Sequence, residues 1–150
     1  MNTPPSSFER LVARGWAFAV MEAAHRFVEM RLLVIEALRS TNPEVRSAAV
    51  AVLNEANDAE AHDLVVALAQ DPDGHVREEV LEYIEQFPRE TDAALLLAKL
   101  SAGESPFLVS AALVKLFGNT GPLISGEEGD ALPEQVRIWE KFLRAKGHVA

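Results

Sequence analysis

The sequence Asn42-Pro43-Glu44-Val45-Arg46-Ser47-Ala48-Ala49 places a turn directly before an amphipathic run, and the same phrase occurs twice more along the chain. The second copy is Asp73-Gly74-His75-Val76-Arg77-Glu78-Glu79-Val80, and the third is Ser105-Pro106-Phe107-Leu108-Val109-Ser110-Ala111-Ala112. The valines of the three copies are 31 and 33 residues apart, a period too short for a domain but suited to one helical hairpin. A lone hairpin cannot bury its apolar face, so such hairpins stack side by side. The repeat therefore predicts an all-α chain of stacked helical pairs.

Apolar residues also recur at fixed distances after each valine. They lie four and eight residues later, at Ala49, Val80, Leu113, Leu53, Ile84 and Phe117. Residues at these distances share one side of an α-helix, so we expect them to form a buried face. The sequence contains no alternating pattern of the kind that predicts a β-strand.

Capping and turn residues predict where the helices begin and end. Ser6 is the expected N-cap of a first helix reaching about residue 24, with Glu9 completing a capping box. A second helix to about residue 39 follows a break near His25, and one long bent helix is the alternative. Further helices are expected over about 43–55, 59–70, 74–87, 91–101, 106–117 and 133–145. We expect a single domain over 1–150, divided into an N-terminal helical region (6–40), a repeat core (43–118), a loop (119–132) and a C-terminal capping helix (133–146).

The repeated phrases resemble the HEAT-repeat family, in which a helix ending in leucine leads through an Asp-Pro type of turn into a second, alanine-rich helix that begins with Val-Arg. The resemblance rests on residues 42–49 and on Asp71-Pro72-Asp73-Gly74-His75-Val76-Arg77, while Ser110 replaces the arginine in the third copy. It implies an α-α superhelix (a HEAT-like solenoid) of about three helical hairpins with capping helices at both ends. It also implies a scaffold or binding role, with the second helix of each pair lining a concave side.

Composition limits the classes of protein to consider. The chain has 150 residues, of which 49% are hydrophobic and 25% charged, as in an ordinary soluble domain. It has no cysteine, which excludes disulfides and thiolate chemistry and is compatible with a reducing cytoplasm. Charged residues interrupt the longest apolar stretch, 11–38, and the chain start lacks the basic region of a signal peptide. We therefore expect a cytoplasmic protein with no membrane partner.

Negative charge is concentrated in the middle of the chain. The formal net charge is −9, and residues 41–105 alone carry −10. Such a surface repels phosphate and attracts cations, which predicts a basic protein partner and no nucleic acid.

One helix face collects several of these acids. Glu78, Glu82 and Glu85 follow the i, i+4, i+7 spacing, and Val76 and Val80 occupy the opposite side. The candidate partner-binding residues are Glu44, Glu78, Glu79, Glu82, Tyr83 and Glu85, with the Tyr83 hydroxyl expected at the edge of the groove. The alternative is an ordinary solvated helix face.

Two recurring arginines and two tryptophans have structural interpretations that compete with functional ones. Arg46 and Arg77 could bind an anion, but pairing with turn acids such as Asp71 is the favoured interpretation. Trp16 and Trp139 could anchor a partner, but packing in the core is the favoured interpretation.

No catalytic or metal-binding pattern is present. Glu22, His25 and Glu29 could place three ligands on one helix face, but nothing follows zincin-type spacing, so no metal is predicted. His62 and His75 are expected at the surface. Phosphate loops, nucleophile elbows and dinucleotide fingerprints do not occur, so we expect no catalytic residue and no cofactor.

These observations favour a non-catalytic protein-interaction module with an acidic concave helical surface that binds a basic protein. A narrower alternative is a bacterial immunity or antitoxin-like protein that masks a basic toxin. An enzymatic alternative is a HEAT-like nucleic-acid glycosylase or a bilin lyase subunit, although a glycosylase needs a basic groove. A third alternative is an assembly unit that associates with itself.

Overall fold

The computed structural model describes residues 6–124 and 133–150, and all regular structure within these ranges is helical. Its α-helices are α1 (Ser7–Arg14), α2 (Trp16–His25), α3 (Phe27–Ala37), α4 (Pro43–Glu55), α5 (His62–Val66), α6 (Gly74–Gln86), α7 (Ala93–Ser101), α8 (Pro106–Phe117) and α9 (Pro133–Ala145). Short 3-10 helices, Ala59–Ala61 and Glu90–Asp92, precede α5 and α7. The predicted all-α class is confirmed.

The contacts divide the chain into two compact units, Met1–Tyr83 and Ile84–Ala150. In the first unit α2 packs against α1 and α4, and α3 packs against α4. In the second unit α7 packs against α8 and α9. The boundary falls inside α6, and the expected single domain over 1–150 stays a prediction.

The buried face predicted from the repeat is confirmed. Val45, Val76 and Val109 are all buried, and so are the residues four positions after them, Ala49, Val80 and Leu113. Leu53 and Ile84 are buried eight positions after the first two valines, whereas Phe117 is only half-buried. Phe117 instead packs edge-on against Phe142 of α9, with ring centroids 5.5 Å apart.

The N-terminal region contains three helices where two were predicted. Ser6 caps α1 as expected, since its Oγ accepts a hydrogen bond from the backbone N–H of Glu9. The first helix does not continue to residue 24, because Gly15 adopts φ 157° and ψ 132°, a conformation essentially restricted to glycine. The predicted break near His25 is confirmed, since α2 ends there and Arg26 separates it from α3.

Downstream boundaries follow the turn residues closely, with one exception. The bounds of α4, α8 and α9 agree with the prediction. The helix expected over 59–70 is instead a 3-10 turn followed by the five-residue α5 and further turns. Asn57, with φ 58°, lies in the left-handed region just before this segment. The predicted loop at 119–132 lies largely outside the described residues, which omit 125–132.

Two polar contacts attach the segment that follows α8 to the helices of the second unit. Ser110 Oγ, fully buried, accepts a hydrogen bond from the backbone N–H of Ile124 at 2.9 Å. Trp139 of α9 is also fully buried, and its indole N–H donates to the carbonyl oxygen of Pro122 at 2.8 Å. Gly121 lies directly against the indole, where a Cβ atom would overlap the ring. The interpretation of Trp139 as a core residue is confirmed.

Candidate functional site

The predicted acids of α6 differ in their accessibility. Glu78 is exposed, Glu82 is partly exposed, and Glu79 is buried with 8% of its surface accessible. The opposite side of the helix is buried through Val76, Val80 and Ile84. We call Glu78, Glu79 and Glu82 the acidic face.

Glu79 is the chemically unusual member of the acidic face. Its burial and the neighbouring carboxylates of Glu82 and Glu78 raise its pKa to about 7. Its Oε1 lies 3.4 Å from Nε2 of His75, one helical turn earlier. At neutral pH the Glu79 carboxyl is therefore about half protonated, and the negative charge of this face depends on pH.

Glu85 is already paired within the second unit. Lys115 of α8 places its Nζ 2.8 Å from Glu85 Oε1 and also donates a hydrogen bond to the Glu85 carbonyl oxygen at 2.7 Å. A partner's cation would have to compete with this lysine. Glu85 therefore contributes less to an acidic binding surface than its sequence position indicates.

Tyr83 does not lie at a groove edge, and this expectation is corrected. Its side chain is fully buried, and its hydroxyl donates a hydrogen bond to the backbone carbonyl of Asp58. The ring also lies near His62, with centroids 6.4 Å apart. Tyr83 therefore connects α6 to the turn before α5, and its buried side chain is not part of the surface that a partner would contact.

A chain of contacts connects the starts of α2, α4 and α6. Trp16 donates its indole N–H to Ser47 Oγ at 3.0 Å, and this hydroxyl donates to the carbonyl oxygen of Glu44. The indole also stacks at a tilt on His75, with ring centroids 5.4 Å apart, and His75 approaches Glu79. The Glu44 side chain is exposed in the first turn of α4. The structure thus links the Glu44 backbone to the acidic face through Trp16.

The recurring arginines are structural. Arg46 forms a bidentate fork with Asp71, through Nε to Oδ2 at 2.8 Å and Nη2 to Oδ1 at 2.9 Å. Its Nη1 donates to the carbonyl oxygen of Ser40, so one side chain joins two successive turns. Arg77 donates to the carbonyl oxygens of Asp71 and Pro72. The interpretation of Arg46 as a link to Asp71 is confirmed.

The arginine and the backbone around Asp71 lower the pKa of its carboxyl. Burial acts to raise the pKa of its carboxyl, but hydrogen bonds from Arg46 and from the backbone N–H of Asp73, with the Arg46 charge, hold it below its usual value. The ionised carboxylate is therefore the form that the fold stabilises.

Sequence reasoning missed a second arginine–aspartate pair of the same kind. Arg31 Nε donates to Asp58 Oδ2 at 2.7 Å, and Asp58 Oδ1 caps the following 3-10 turn by accepting from the N–H of Ala61. The hydrogen bond that the guanidinium donates to Asp58, together with the negative charge of Asp58, raises the pKa of Arg31. The separation of 27 residues is close to the 25 between Arg46 and Asp71, a spacing that could have revealed this pair.

Two further polar residues are buried, and for His62 this corrects the prediction from the sequence. His62, predicted at the surface, is only 2% exposed, with Nδ1 3.2 Å from the exposed carboxylate of Asp63. Lys99 of α7 is likewise buried and pairs with Glu104 at 2.7 Å. His75 is exposed, as predicted.

The described ranges, residues 6–124 and 133–150, contain neither a cluster of metal-ligand side chains nor a helix that could span a membrane. Within these ranges no three histidine, aspartate or glutamate side chains converge as ligands of a metal ion would. No helix in the same ranges has both the length and the apolar character needed to cross a bilayer.

Comparison with models of protein families finds a repeat family that the chain matches. The family model described as HEAT repeats matches residues 31–116, which is more than half of the chain and includes all but the last two residues of the predicted repeat core, 43–118. No curated protein matches the chain. No solved structure matches it either.

Proposed function

Because the chain belongs to the HEAT-repeat family, whose members are generally protein-interaction scaffolds, we propose that it is a non-catalytic cytoplasmic module that binds a basic protein through the acidic face of α6. The observation that carries this proposal is the placement of Glu78 and Glu82 at the surface beside the partly protonated Glu79. Glu44 adds an exposed carboxylate at the start of α4.

We expect the acidic face to act by electrostatic attraction of its partner. The −10 carried by residues 41–105 creates a field that attracts a cationic surface before contact is made. Attraction of this kind speeds association and weakens as salt shortens the range of the field. We therefore expect the association rate to fall steeply as ionic strength rises.

The test compares two charge-reversed variants that carry the same net charge. Glu78→Lys with Glu82→Lys alters the acidic face, whereas Glu36→Lys with Glu134→Lys alters exposed acids of α3 and α9. Each immobilised protein is incubated with lysate of its source cells, and captured proteins are quantified by mass spectrometry along a salt gradient.

The proposal expects a basic protein that the native chain and the control variant retain to similar salt concentrations. The Glu78→Lys/Glu82→Lys variant should lose it at least tenfold, since two attractive contacts become repulsive. Equal retention by both variants would show that the acidic face does not bind the partner.

A further inference from the structure

The first compact unit carries a cavity of about 500 Å³ beside α2. It combines apolar side chains with acids and a histidine, and its lining residues are Phe18, Met21, Glu22, Ala24, His25 and Glu55. All of these belong to α2 except Glu55, which is the last residue of α4. The cavity therefore lies where the ends of two packed helices meet.

The apolar lining of the cavity is not required by the core. The buried face of α2 lies elsewhere on the helix, at Ala19, Val20 and Ala23. Phe18 is 42% exposed and Met21 72% exposed, and they lie one turn apart on the same side of α2. The Arg14 guanidinium covers one face of the Phe18 ring at 4.7 Å from its centroid. The Phe18 ring beside the flexible thioether of Met21 forms a surface that can bind an apolar side chain.

Among the residues that the structure describes, Glu22 at the rim has only a long ion pair and Glu55 has none. Arg26 hydrogen-bonds Glu29 at 3.1 Å and approaches Glu22 only to 3.9 Å. Glu55 is exposed in the last turn of α4, where no basic residue offsets the negative end of the helix. An acid at that position is unfavourable, and a cation bound there would interact well with both the carboxylate and the helix end.

We propose that this cavity is an anchor site that takes an apolar side chain of the partner, with a neighbouring lysine or arginine meeting Glu22 and Glu55. The inference rests on the proposed function, because it specifies how the basic partner is held. A second copy of this chain is a poorer occupant, since a two-fold contact at the cavity would bring the carboxylates of both copies together.

Three labelled peptides test the chemistry of the occupant. The first is an amphipathic helix with leucines on one side and lysines on the other; the second has serine for leucine, and the third has glutamate for lysine. Affinities are measured by fluorescence anisotropy. The first peptide should bind at least tenfold more tightly than the others, since only it supplies both the apolar side chain and the cation. Equal binding of the first two would overturn the proposal.

Variants of the protein locate the binding of the first peptide. Met21→Ala should weaken it about tenfold through lost apolar contact, and Phe18→Ala should act in the same direction. Glu55→Gln should weaken it and reduce its salt dependence. Leu32→Ala is the matched control, because Leu32 of α3 is 75% exposed and lies outside the cavity. Affinity unchanged in Met21→Ala and Phe18→Ala would overturn the anchor site.

The same peptide separates this inference from the proposed function. If Glu78→Lys/Glu82→Lys weakens binding while Met21→Ala does not, the anchor site is wrong and the acidic face stands. If Met21→Ala weakens binding and the α6 variant does not, the anchor site stands alone. If Met21→Ala instead abolishes self-association of the free protein in sedimentation, with peptide affinity unchanged, the occupant is a second copy and the proposal is wrong.

Discussion

At the scale of single side chains, the fork between Arg46 and Asp71 joins two successive turns while being almost entirely buried. The two side chains are only 13% and 5% exposed, so removing one of them leaves the other poorly solvated. We expect Asp71→Asn to lower the free energy of unfolding at pH 7 by about 2–4 kcal/mol, measured by urea denaturation.

The pH dependence of the Asp71→Asn effect follows from the lowered pKa of Asp71. The ionised carboxylate stabilises the fold above the usual pKa of an aspartate, and this contribution is lost as the pH falls through the lower folded value. The difference between Asp71→Asn and the native chain should therefore shrink below about pH 4. Glu36→Gln, on the exposed side of α3, is the control and should change little. A difference that is the same at all pH values would contradict the expectation.

Glu79 has the opposite pH dependence. Its pKa is raised from 4.5 to about 7, so the folded chain binds more protons than the unfolded chain between these values. Stability contributed by protonated Glu79 is present at low pH and is lost as the pH rises towards 7 and beyond.

Glu79→Gln removes the loss of stability that accompanies ionisation of the Glu79 carboxyl. Relative to the native chain, it should gain about 1–2 kcal/mol in free energy of unfolding between pH 5 and pH 8, measured by urea denaturation. His75, Glu78 and Glu82 also surround the carboxyl, so Glu82→Gln tests the contribution of the neighbouring charge. No gain above pH 7 would show that Glu79 titrates normally.

The sequence predicted which side of α6 is acidic but not how deep each residue lies. Val76 and Val80 define the buried side, and Tyr83 lies seven residues after Val76, nearly in line with it. That spacing could have predicted the burial of Tyr83, had the tyrosine not been assigned to the acidic surface. The depth of Glu79 and the pairing of Glu85 depend on neighbouring helices, and helical periodicity carries no information about these.

At the scale of elements, the position of α9 depends on the close packing of Trp139 against Gly121. A methyl group at residue 121 would overlap the indole ring, which is fully buried and cannot move aside freely. Gly121→Ala should lower the free energy of unfolding by about 1–3 kcal/mol and shift the NMR signal of the Trp139 indole N–H. Gly74→Ala is the matched control, since a Cβ atom there meets only Arg77 Nη2 at an ordinary 3.6 Å. An unshifted indole signal in Gly121→Ala would contradict this account.

Element boundaries were predictable where proline or a capping side chain fixes the backbone. Pro43, Pro106 and Pro133 each begin a helix at the expected residue. Gly15 was visible in the sequence, but its backbone conformation was not, because glycine tolerates a helix as well as a break. The shortening of α5 involves Arg31 and Tyr83, which hold Asp58 from distant positions that a local pattern cannot include.

At the scale of the whole molecule, the uneven charge predicts a response to salt. Residues 41–105 carry −10, and their mutual repulsion opposes the folded state at low ionic strength. Raising sodium chloride from about 20 to about 500 mM should increase the free energy of unfolding by about 1 kcal/mol. The less negative Glu78→Lys/Glu82→Lys variant should gain less. A loss of stability with salt would mean that screening of the arginine–aspartate pairs dominates.

Ser110 occupies the place that an arginine holds in the two earlier copies of the repeat, and it is bound to the departing chain at Ile124. Arg46 bonds to Asp71 in the turn of the next repeat. The shorter Ser110 side chain instead bonds to the segment that contains Gly121, against which Trp139 packs. Ser110 therefore attaches the segment after the third repeat to α8, in place of a link between two successive turns. Loss of the Ser110 hydroxyl would leave the buried N–H of Ile124 without its acceptor, and the cost of burying an unpaired donor would weaken the attachment of this segment to α8.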